Sequence, residues 1–567
     1  MPDAQGWDAN VDVLVMGTGA GAMTAAIVAH DRGAKVLLVE KTDRYGGSSA
    51  MSGGGLWIPN NPLMAEAGIP DSLDEALTYL RAVTRGDVPE EKLRAYLENG
   101  AEMVRWMLAN TRLDLVALPE YTDYYPNAPG AKPGARSMEP KRFHARVLGD
   151  EFLKMREENP QSQILGRIFM TVFDARALLT RSPGWLGVAF RLFARYCLDL
   201  PWRFRSTRDR SLTMGNALVA MLRASLLDRG VPLWLETPAR ELLVEDGRVI
   251  GLLAEREGRP VRIRARKAVI LAAGGFEGNQ AMRDRYLPHP TRPQWSCANP
   301  HDTGDAIQMG TKLGAAVEFM DEAWWGPVTV VPGEKHARIL VVEKSLPGSV
   351  LVNRRGERFV NEATTYTDVV AAMFETNLPE GTSVPSYLIF DTTYRKHYPC
   401  GPLLQSSQEP DWMLPRALRE SHYVRKASTL EHLAAKLGIE PEGLRRTVER
   451  FNAFSREGVD RDFHRGETIF DRYYGDERVK PNPCLSALES PPYYGIPVYP
   501  GDLGTKGGLK TNARGRVLHE SGAPIPGLYA IGNCSGSVMG HTYPGAGATL
   551  GPATVFGYIA ARDATDG

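Results

Sequence analysis

A short stretch near the C-terminus combines two hydrogen-bond donors. The sequence HTYPGAGATLGPA places Tyr543 between a cluster of glycines and residues typical of a helix start. Gly547 is predicted to open that helix, where backbone N–H groups lack intrahelical partners and lie at the positive end of the dipole. A phenol and such an N–H can converge on one carbonyl oxygen and stabilise negative charge on it. Packing in a tight turn is the alternative interpretation of Tyr543.

Further aromatic residues lie in segments typical of loops. The stretch LPEYTDYYPNAPG carries Tyr121 and Tyr124, and RGERFVNEATTYTD carries Tyr366. The stretch EFMDEAWWGPVTVVPG contributes Trp324 and Trp325, which suit either a flat apolar ligand or a protein core. Any one of these tyrosines, taken alone, is more commonly a packing residue than a catalytic one.

The elements that would position these residues begin with a nucleotide-binding unit. VDVLVMGTGAGAMTAAIVAHDRGAKVLLVEK is typical of a strand, a glycine turn, a helix and a second strand. In its GxGxxG/A pattern, Gly17 makes the turn, Gly19 admits a pyrophosphate and Ala22 permits close packing of the helix. Glu40 ends the second strand, where an acid accepts ribose hydroxyls. The combination predicts a Rossmann-type dinucleotide site.

A second loop favours FAD over NAD as the dinucleotide. KTDRYGGSSAMSGGGLWIPNN follows directly after Glu40 and is rich in glycine and serine. Two later strands, in KAVILAAGGFEGN and IPGLYAIGNCSG, also end on glycines, at the sheet edge where ligands of open α/β folds bind. An NAD protein has no need of the second loop, whereas a protein that encloses all of FAD needs such small residues.

These segments, with ETPARELLVEDGRVIGL and the HDTGDA turn, resemble the fumarate reductase/succinate dehydrogenase flavoprotein superfamily. The resemblance implies an α/β fold: a Rossmann-like FAD-binding domain, split in sequence, with an inserted smaller α+β substrate domain. Members that bind FAD covalently use a histidine in the loop after the acid; this loop has none, so noncovalent FAD is expected. The residues expected at the cofactor are Gly17, Gly19, Gly21, Ala22, Glu40, Lys41, Gly47, Ser48, Ser49, Ser52, Gly53, Gly54, Ala239, Ala273, Gly274, Gly275, Asp305, Gly532, Asn533, Gly547, Thr549 and Leu550.

The tyrosine segments and PGDLGTKGGL resemble the bacterial 3-ketosteroid Δ1-dehydrogenases, along nearly all of the chain outside roughly 145–212. The resemblance implies that Tyr543 and Gly547 hold the C3 carbonyl, that Tyr366 removes the C2 proton and that Tyr124 supports it. Hydride would leave C1 for flavin N5, converting for example a 4-ene-3-ketosteroid into a 1,4-diene. The expected substrate-pocket residues are Tyr121, Trp324, Trp325 and Pro544.

Other functions remain open at this point. Another flavin ene-reductase or dehydrogenase that acts on a flat apolar enone is the main enzymatic alternative, and the reverse hydrogenation would use the same residues. A flavin-carrying membrane adaptor without activity is the non-catalytic alternative. The sequence carries no second nucleotide fingerprint, which favours a quinone-like or artificial electron acceptor over NAD(P).

Composition excludes several classes of partner. Lys+Arg and Asp+Glu balance at 67 each, so no nucleic-acid partner is expected. The 5 cysteines are scattered without a CxxC pair, which predicts neither a disulfide framework nor a metal site and favours a reducing, cytoplasmic compartment. The start lacks the pattern of a signal peptide, and no long apolar run predicts a membrane span.

One segment, 145–212, departs from the shorter members of the steroid family. Residues 161–179 are expected to form an amphipathic helix. The range 160–210, which includes this helix, contains nine arginines and three aspartates. With Trp185 and Trp202 as interfacial aromatics, 160–210 is predicted to lie on a membrane surface, at the inner face of the cell membrane. Packing of this segment on its own protein, or an oligomer contact, is the alternative.

The domain limits follow from these segments. The FAD-binding domain is expected to comprise 1–325 and 496–567, with 145–212 as an insertion. Residues 326–495 would form the substrate domain, and the flavin and steroid would lie between the two.

Overall fold

The computed structural model describes residues 6–180 and 183–566. Its strands are β1 Ala9–Met16, β2 Val36–Val39, β3 Leu56–Trp57, β4 Leu115–Ala117, β5 Ser137–Pro140, β6 Phe143–His144, β7 Gln163–Ile164, β8 Ile168–Phe169, β9 Ser211–Leu212, β10 Leu233–Trp234, β11 Ala239–Glu245, β12 Arg248–Arg256, β13 Arg259–Leu271, β14 Val317–Glu318, β15 Ala323–Thr329, β16 Arg338–Ile339, β17 Ser349–Val352, β18 Ser386–Phe390, β19 Arg425–Ala427, β20 Tyr493–Thr505, β21 Gly508–Leu509, β22 Arg516–Leu518 and β23 Pro524–Ala530. Its α-helices are α1 Ala20–Asp31, α2 Gly47–Met51, α3 Leu63–Glu66, α4 Leu73–Thr84, α5 Glu90–Asn110, α6 Val172–Thr180, α7 Trp185–Leu198, α8 Leu200–Arg203, α9 Met214–Asp228, α10 Gln280–Tyr286, α11 Asp305–Lys312, α12 Tyr366–Glu375, α13 Thr392–His397, α14 Arg416–Glu420, α15 Leu430–Leu437, α16 Pro441–Glu457, α17 Ile469–Tyr473 and α18 Leu550–Asp566.

An eight-stranded sheet carries the nucleotide-binding unit. β1 lies between β2 and β13 and runs parallel to both. The last residues of β13 pair in parallel with β23, and its first residues pair in antiparallel with β12. Residues 13–16 of β1 are all buried, because a parallel strand covered on both faces needs apolar side chains throughout. The predicted Rossmann-like α/β fold is confirmed.

The first and last helices, α1 and α18, cross on one face of this sheet at very short distance. A Cβ atom on Gly21 would lie 2.5 Å from the carbonyl oxygen of Ala553, and one on Gly557 would lie 2.6 Å from the carbonyl oxygen of Gly21. Only glycine fits at such separations. The two ends of the sequence therefore share one core, as the prediction of a split domain requires.

A second sheet is antiparallel, in the order β16-β15-β20-β18-β17, with β19 also paired to β20. Its strands all lie between Ala323 and Thr505. The predicted limits of the substrate domain, 326 and 495, fall inside β15 and β20, two strands that pair with each other in this sheet. The division into two domains stays a prediction.

The predicted helix over 161–179 is wrong in its first half. Residues of β7 and β8 pair as a short hairpin, and the helix α6 begins only at Val172. Leu165 and Gly166 form the turn with φ values of 52° and 63°, which interrupt a helix. Ile168 and Phe169 are buried, so their apolar character reflects the protein core rather than a membrane face.

Trp202 is also not at an interface. Its side chain is buried against Phe152, with ring centroids 5.7 Å apart, and its indole N–H donates to the carbonyl of Arg208. Trp185, at the start of α7, is partly exposed. Among the described residues, no helix is both long and apolar enough to cross a membrane.

Candidate active site

A cavity of about 1050 Å³ runs from the glycine turn after β1 to the tyrosines near the C-terminus. Its volume lies at the upper end of the range for small-molecule sites, about 300–1,000 Å³. Nearly all residues predicted to contact the cofactor line this cavity; they are Gly17, Gly19, Gly21, Ala22, Glu40, Lys41, Gly47, Ser48, Ser49, Ser52, Gly53, Gly54, Ala239, Ala273, Gly274, Asp305, Gly532, Asn533, Gly547, Thr549 and Leu550. Gly275 is not among the lining residues; it lies against the hydroxyl of Thr505.

The glycine turn opens the N-terminus of α1 toward the cavity. Gly17 has φ 110°, and a Cβ atom there would lie 2.2 Å from the carbonyl oxygen of Ala272 on the neighbouring strand end. Gly19 is the N-cap of α1 and provides no capping side chain, and the first turn holds no acidic residue. An open helix N-terminus without a competing anion fits the pyrophosphate of a dinucleotide.

Glu40 lies at the end of β2 with its carboxylate in the cavity wall. The hydroxyl of Thr18 donates to Oε2 at 2.6 Å, and the backbone N–H of Thr42 donates to Oε1 at 3.0 Å. The hydroxyl of Thr42 also donates to Oε1 at 3.0 Å, so the capacity for a ribose hydroxyl remains at Oε2, which accepts only one of these bonds. Lys41, beside it, forms an ion pair of 2.7 Å with Asp305. The turn, the helix end and this acid fit the pyrophosphate and ribose of FAD.

Three predicted catalytic tyrosines meet at the other end of the cavity. The ring centroids of Tyr124, Tyr366 and Tyr543 are 5.3 to 5.4 Å apart in all three pairs, each in an edge-to-face arrangement. The hydroxyl of Tyr124 donates to that of Tyr366 at 2.8 Å. The structure thus brings together residues from three distant segments of the chain.

Tyr543 and Gly547 also come together, but not at a helix end. The helix α18 begins at Leu550, and Gly547 has φ 99° in the turn before it, so the prediction that Gly547 opens the helix is wrong. A Cβ atom there would lie 2.5 Å from the carbonyl carbon of Gly55. Burial raises the pKa of Tyr543, while hydrogen bonds from Tyr366, Thr549 and the N–H of Gly547 oppose that shift. The N–H of Gly547 and the phenol of Tyr543 are therefore direct neighbours at this end of the cavity.

Tyr366 is the first residue of α12, whose N-cap is Thr365. Burial raises its pKa well above the ordinary value, and the neighbouring phenols of Tyr543 and Tyr121 act in the same direction. The hydrogen bond from Tyr124 lowers the pKa again. A base at this position therefore depends on its donor, since desolvation disfavours a phenolate.

Three of the four predicted substrate-pocket residues lie at the tyrosine end of the cavity or directly behind it. Tyr121 lines the cavity and its hydroxyl pairs with that of Tyr474. Trp324 packs behind Tyr543, with ring centroids 4.8 Å apart. The carbonyl of Pro544 accepts the backbone N–H of Tyr124, so it orients the tyrosines rather than lining the cavity.

Trp325 does not belong to this group. Trp325 follows Trp324 along β15, and the two side chains belong to different clusters of buried residues. Trp325 is buried against Phe374, with ring centroids 5.2 Å apart, in a separate core. The structure therefore places only the first of the two tryptophans at the site.

Several residues that line the cavity are not predicted from the sequence. Asp302 accepts a hydrogen bond of 2.7 Å from Ser48, and burial raises its pKa to about 6. Its position in the same HDTGDA turn as Asp305 was an available signal. Tyr473 and Tyr474, at and after the end of α17, line the cavity beside Tyr121. Their motif, DRYYGD, offers an aromatic pair next to a glycine but no spacing that indicates a site.

The chain matches a known family and several known proteins along most of its length. The family model for an FAD binding domain matches residues 12–550, which makes the chain an FAD-binding protein. A 3-oxosteroid 1-dehydrogenase of Mycobacterium tuberculosis is 42% identical over 98% of both chains. A 4-oxocyclohexanecarboxylate 2-dehydrogenase of Sinomonas cyclohexanicum is 38% identical over 97% of this chain and 92% of its own.

A solved structure is similar over the whole length. The crystal structure of the 3-ketosteroid Δ1-dehydrogenase from Sterolibacterium denitrificans, in complex with 1,4-androstadiene-3,17-dione, is 49% identical. It covers 98% of this chain and 99% of its own, with a TM-score of 0.95. The chain belongs to the 3-oxosteroid 1-dehydrogenase family of FAD-binding proteins.

The glycine turn allows a direct test of the cofactor site. We expect Gly17→Ala to lower the bound FAD of the purified protein at least about tenfold, because the added Cβ collides with the Ala272 carbonyl and the φ value becomes strained. The ratio of visible flavin absorbance to protein absorbance measures this. Gly33→Ala is the matched control: its φ is 84° but no atom lies within 4 Å, so FAD should be retained. Full flavin content in Gly17→Ala would contradict the assignment of this turn.

Proposed function

We propose that this protein is an FAD-dependent dehydrogenase that introduces the 1,2 double bond of 3-ketosteroids. The observation that carries the proposal is the group of three phenols with the Gly547 N–H at one end of a cavity whose other end fits FAD. The similar structure that was solved with a 1,4-diene-3-ketosteroid supports the same substrate class.

The first requirement of the reaction is a polarised ketone. A proton on C2 becomes acidic only if the C3 oxygen takes up negative charge as an enolate. The hydroxyl of Tyr543 and the N–H of Gly547 are the donors proposed for that oxygen, and they are held by a turn that only glycine can form. Loss of one such donor typically costs about 10²–10³ in rate.

The second requirement is a base for the C2 proton. Tyr366 is proposed for this role, with Tyr124 as the donor that stabilises its phenolate. Two further residues, Phe470 and Tyr121, pack around Tyr124 and exclude water from this pair. A dry environment strengthens the hydrogen bond between the two hydroxyls, although it also raises the free energy of the phenolate.

The third requirement is an acceptor for the C1 hydride. FAD supplies this chemistry when it is bound. The residues proposed to hold its pyrophosphate and ribose are Gly17, Gly19 and Glu40. None of the described residues that line the cavity is a histidine, which supports noncovalent binding. A quinone or quinone-like dye is proposed to take the electrons onward.

Anaerobic mixing with a steroid tests the function directly. We expect 4-androstene-3,17-dione to bleach the visible flavin band of the oxidised holoprotein and to yield the 1,4-diene. A cyclic ketone with a carboxylate, of the kind named for the Sinomonas relative, is the comparison substrate. Bleaching by that ketone alone would replace the steroid proposal with the alternative of another flavin dehydrogenase.

Tyr543→Phe tests the ketone donor in the same assay. It should keep the flavin and reduce kcat/KM about 10²–10³-fold. Trp325→Phe is the matched control, since its ring is packed in a separate core, and it should retain activity. Activity of Tyr543→Phe within about twofold of the unmodified protein would rule the assignment out.

The pH dependence tests the base. Because burial holds the pKa of Tyr366 well above its usual value, kcat/KM should rise with pH between about 6 and 8. Tyr124→Phe removes the donor that lowers this pKa, so at any fixed pH the rate should fall and the profile should move to higher pH. Tyr474→Phe, whose hydroxyl pairs with Tyr121 instead, is the control. An unshifted profile in Tyr124→Phe would exclude its proposed role.

We further propose that the insertion lies on a membrane surface. α7 exposes Leu186, Phe190 and Phe193 at helical spacing on one face. Phe204, after α8, is 90% exposed. Arg191, which lies next to Phe190 on α7, forms an ion pair with Asp174. Exposed apolar side chains of this number, with arginines beside them, fit the headgroup boundary of a bilayer at the inner face of the cell membrane.

The cavity supports this placement. Met170, Ala175 and Pro183, all in the insertion, line one part of the same cavity. A steroid dissolved in a bilayer would then meet the protein close to the opening of the site. An interface between two copies of the chain is the alternative for this apolar surface.

Vesicle flotation distinguishes the two placements. We expect the holoprotein to float with vesicles of anionic and zwitterionic lipids, and the variant Leu186→Ser/Phe190→Ser/Phe193→Ser to remain unbound with full flavin content. The matched control replaces Trp412 and Met413, exposed residues far along the chain from the insertion, by serine. A dimer that the triple variant dissociates, without flotation of the unmodified protein, would establish the oligomer contact instead.

A further inference from the structure

A fully buried lysine lies behind the proposed ketone donor. Lys506, in the loop between β20 and β21, has no exposed side-chain surface. Its ammonium donates to the carbonyl of Thr542, the residue before Tyr543, at 3.1 Å. A buried ammonium is costly unless it is paired, and Lys506 forms an ion pair with the carboxylate of Glu322 at 3.7 Å.

The same ammonium also contacts Trp324. It lies 4.8 Å from the centroid of the Trp324 ring, within the range of a cation–π interaction. Trp324 packs on Tyr543 with centroids 4.8 Å apart, and its indole N–H donates to Asn533 at 3.1 Å. One cation therefore holds both the backbone that precedes Tyr543 and the ring that supports it.

We propose that Lys506 is a positioning residue for Tyr543: its charged ammonium fixes the Thr542 carbonyl and the Trp324 ring, and so aims the phenol at the ketone oxygen. Lys506 does not line the cavity, so it acts through Tyr543 rather than on the substrate. The inference rests on the proposed function, because it concerns the donor of that reaction.

The surroundings of Lys506 make this role dependent on pH. Burial lowers its pKa to about 8, with Glu322 opposing the shift. Around Glu322 lie Asp321 and His541, and His541 pairs with Asp87 at 2.7 Å. The ammonium of Lys506 therefore loses its charge as the pH rises through about 8. The fraction of Tyr366 that is phenolate, the form proposed to act as the base, still increases with pH over the same range, because its pKa is higher. The rise of kcat with pH should flatten in that range.

Lys506→Met tests the inference in the holoprotein, with 4-androstene-3,17-dione and a quinone-like dye. We expect kcat to fall about 10- to 100-fold with KM within about twofold, because a misplaced donor loses mainly transition-state stabilisation. The flattening near pH 8 should disappear, and kcat of the variant should continue to rise. Lys506→Gln, which keeps a donor for the Thr542 carbonyl but no charge, should recover part of kcat without restoring the flattening.

Lys92→Met is the matched control. Lys92 is also buried, but its ammonium pairs with Glu318 at 2.9 Å and donates to the carbonyl of Gly536 at 3.0 Å, rather than to Thr542 and the ring of Trp324. It should leave kcat and its pH profile unchanged. An equal loss in both lysine variants would overturn the inference, since it would report only the removal of a buried ion pair.

Glu322→Gln retains the lysine and decides the matter if Lys506→Met fails to fold. Removing the carboxylate disfavours the charged amine, so the flattening should move to lower pH. An unmoved profile in Glu322→Gln, or a kcat of Lys506→Met within about twofold of the unmodified protein, would overturn the inference. Absence of flavin bleaching in the unmodified protein would instead remove the proposed function itself.

Discussion

Three phenol groups share one water-excluded volume, and each needs a hydrogen-bond partner there. An unpaired hydroxyl in such a place costs roughly 1–3 kcal/mol, so the hydroxyls must meet one another or a backbone group. The bond from Tyr124 to Tyr366 and the contact of Tyr543 with the N–H of Gly547 satisfy this need. Because these residues come from segments hundreds of positions apart, the pairing constrains how the two sheets and the C-terminal turn meet.

The two sheets position the parts of the site in different ways. The parallel sheet ends on glycines, so its edge leaves a channel between strand ends for a long, charged cofactor. The antiparallel sheet supplies β15, which directs Trp324 toward Tyr543 and Trp325 toward a separate core. One strand thus carries a residue of the site and a residue of the core at adjacent positions, as its alternation of faces requires.

The sequence predicts those parts of the site that depend on residues close together along the chain, but not those that depend on contacts between distant segments. The glycine turn and Glu40 are local signals, because spacing along one βαβ unit fixes them. Trp324 and Trp325 could not be separated, since the face that each occupies depends on the pairing of β15. The helix predicted over 161–179 is wrong in its first half, because a hairpin followed by a helix can carry as many apolar residues as one continuous amphipathic helix. Lys506 gave no signal, as its contacts with Thr542 and Glu322 exist only in the folded chain.

The crossing of α1 and α18 has a consequence for synthesis on the ribosome. The glycine turn and α1 are made first, but the face of the sheet on which they pack is completed only by β23 and α18, at the other end of the described chain. Until those last elements emerge, the first βαβ unit has an uncovered apolar face and half of a cofactor site. The cofactor cavity is therefore complete only when the segment from Ile531 to Ala553 has folded against the first βαβ unit.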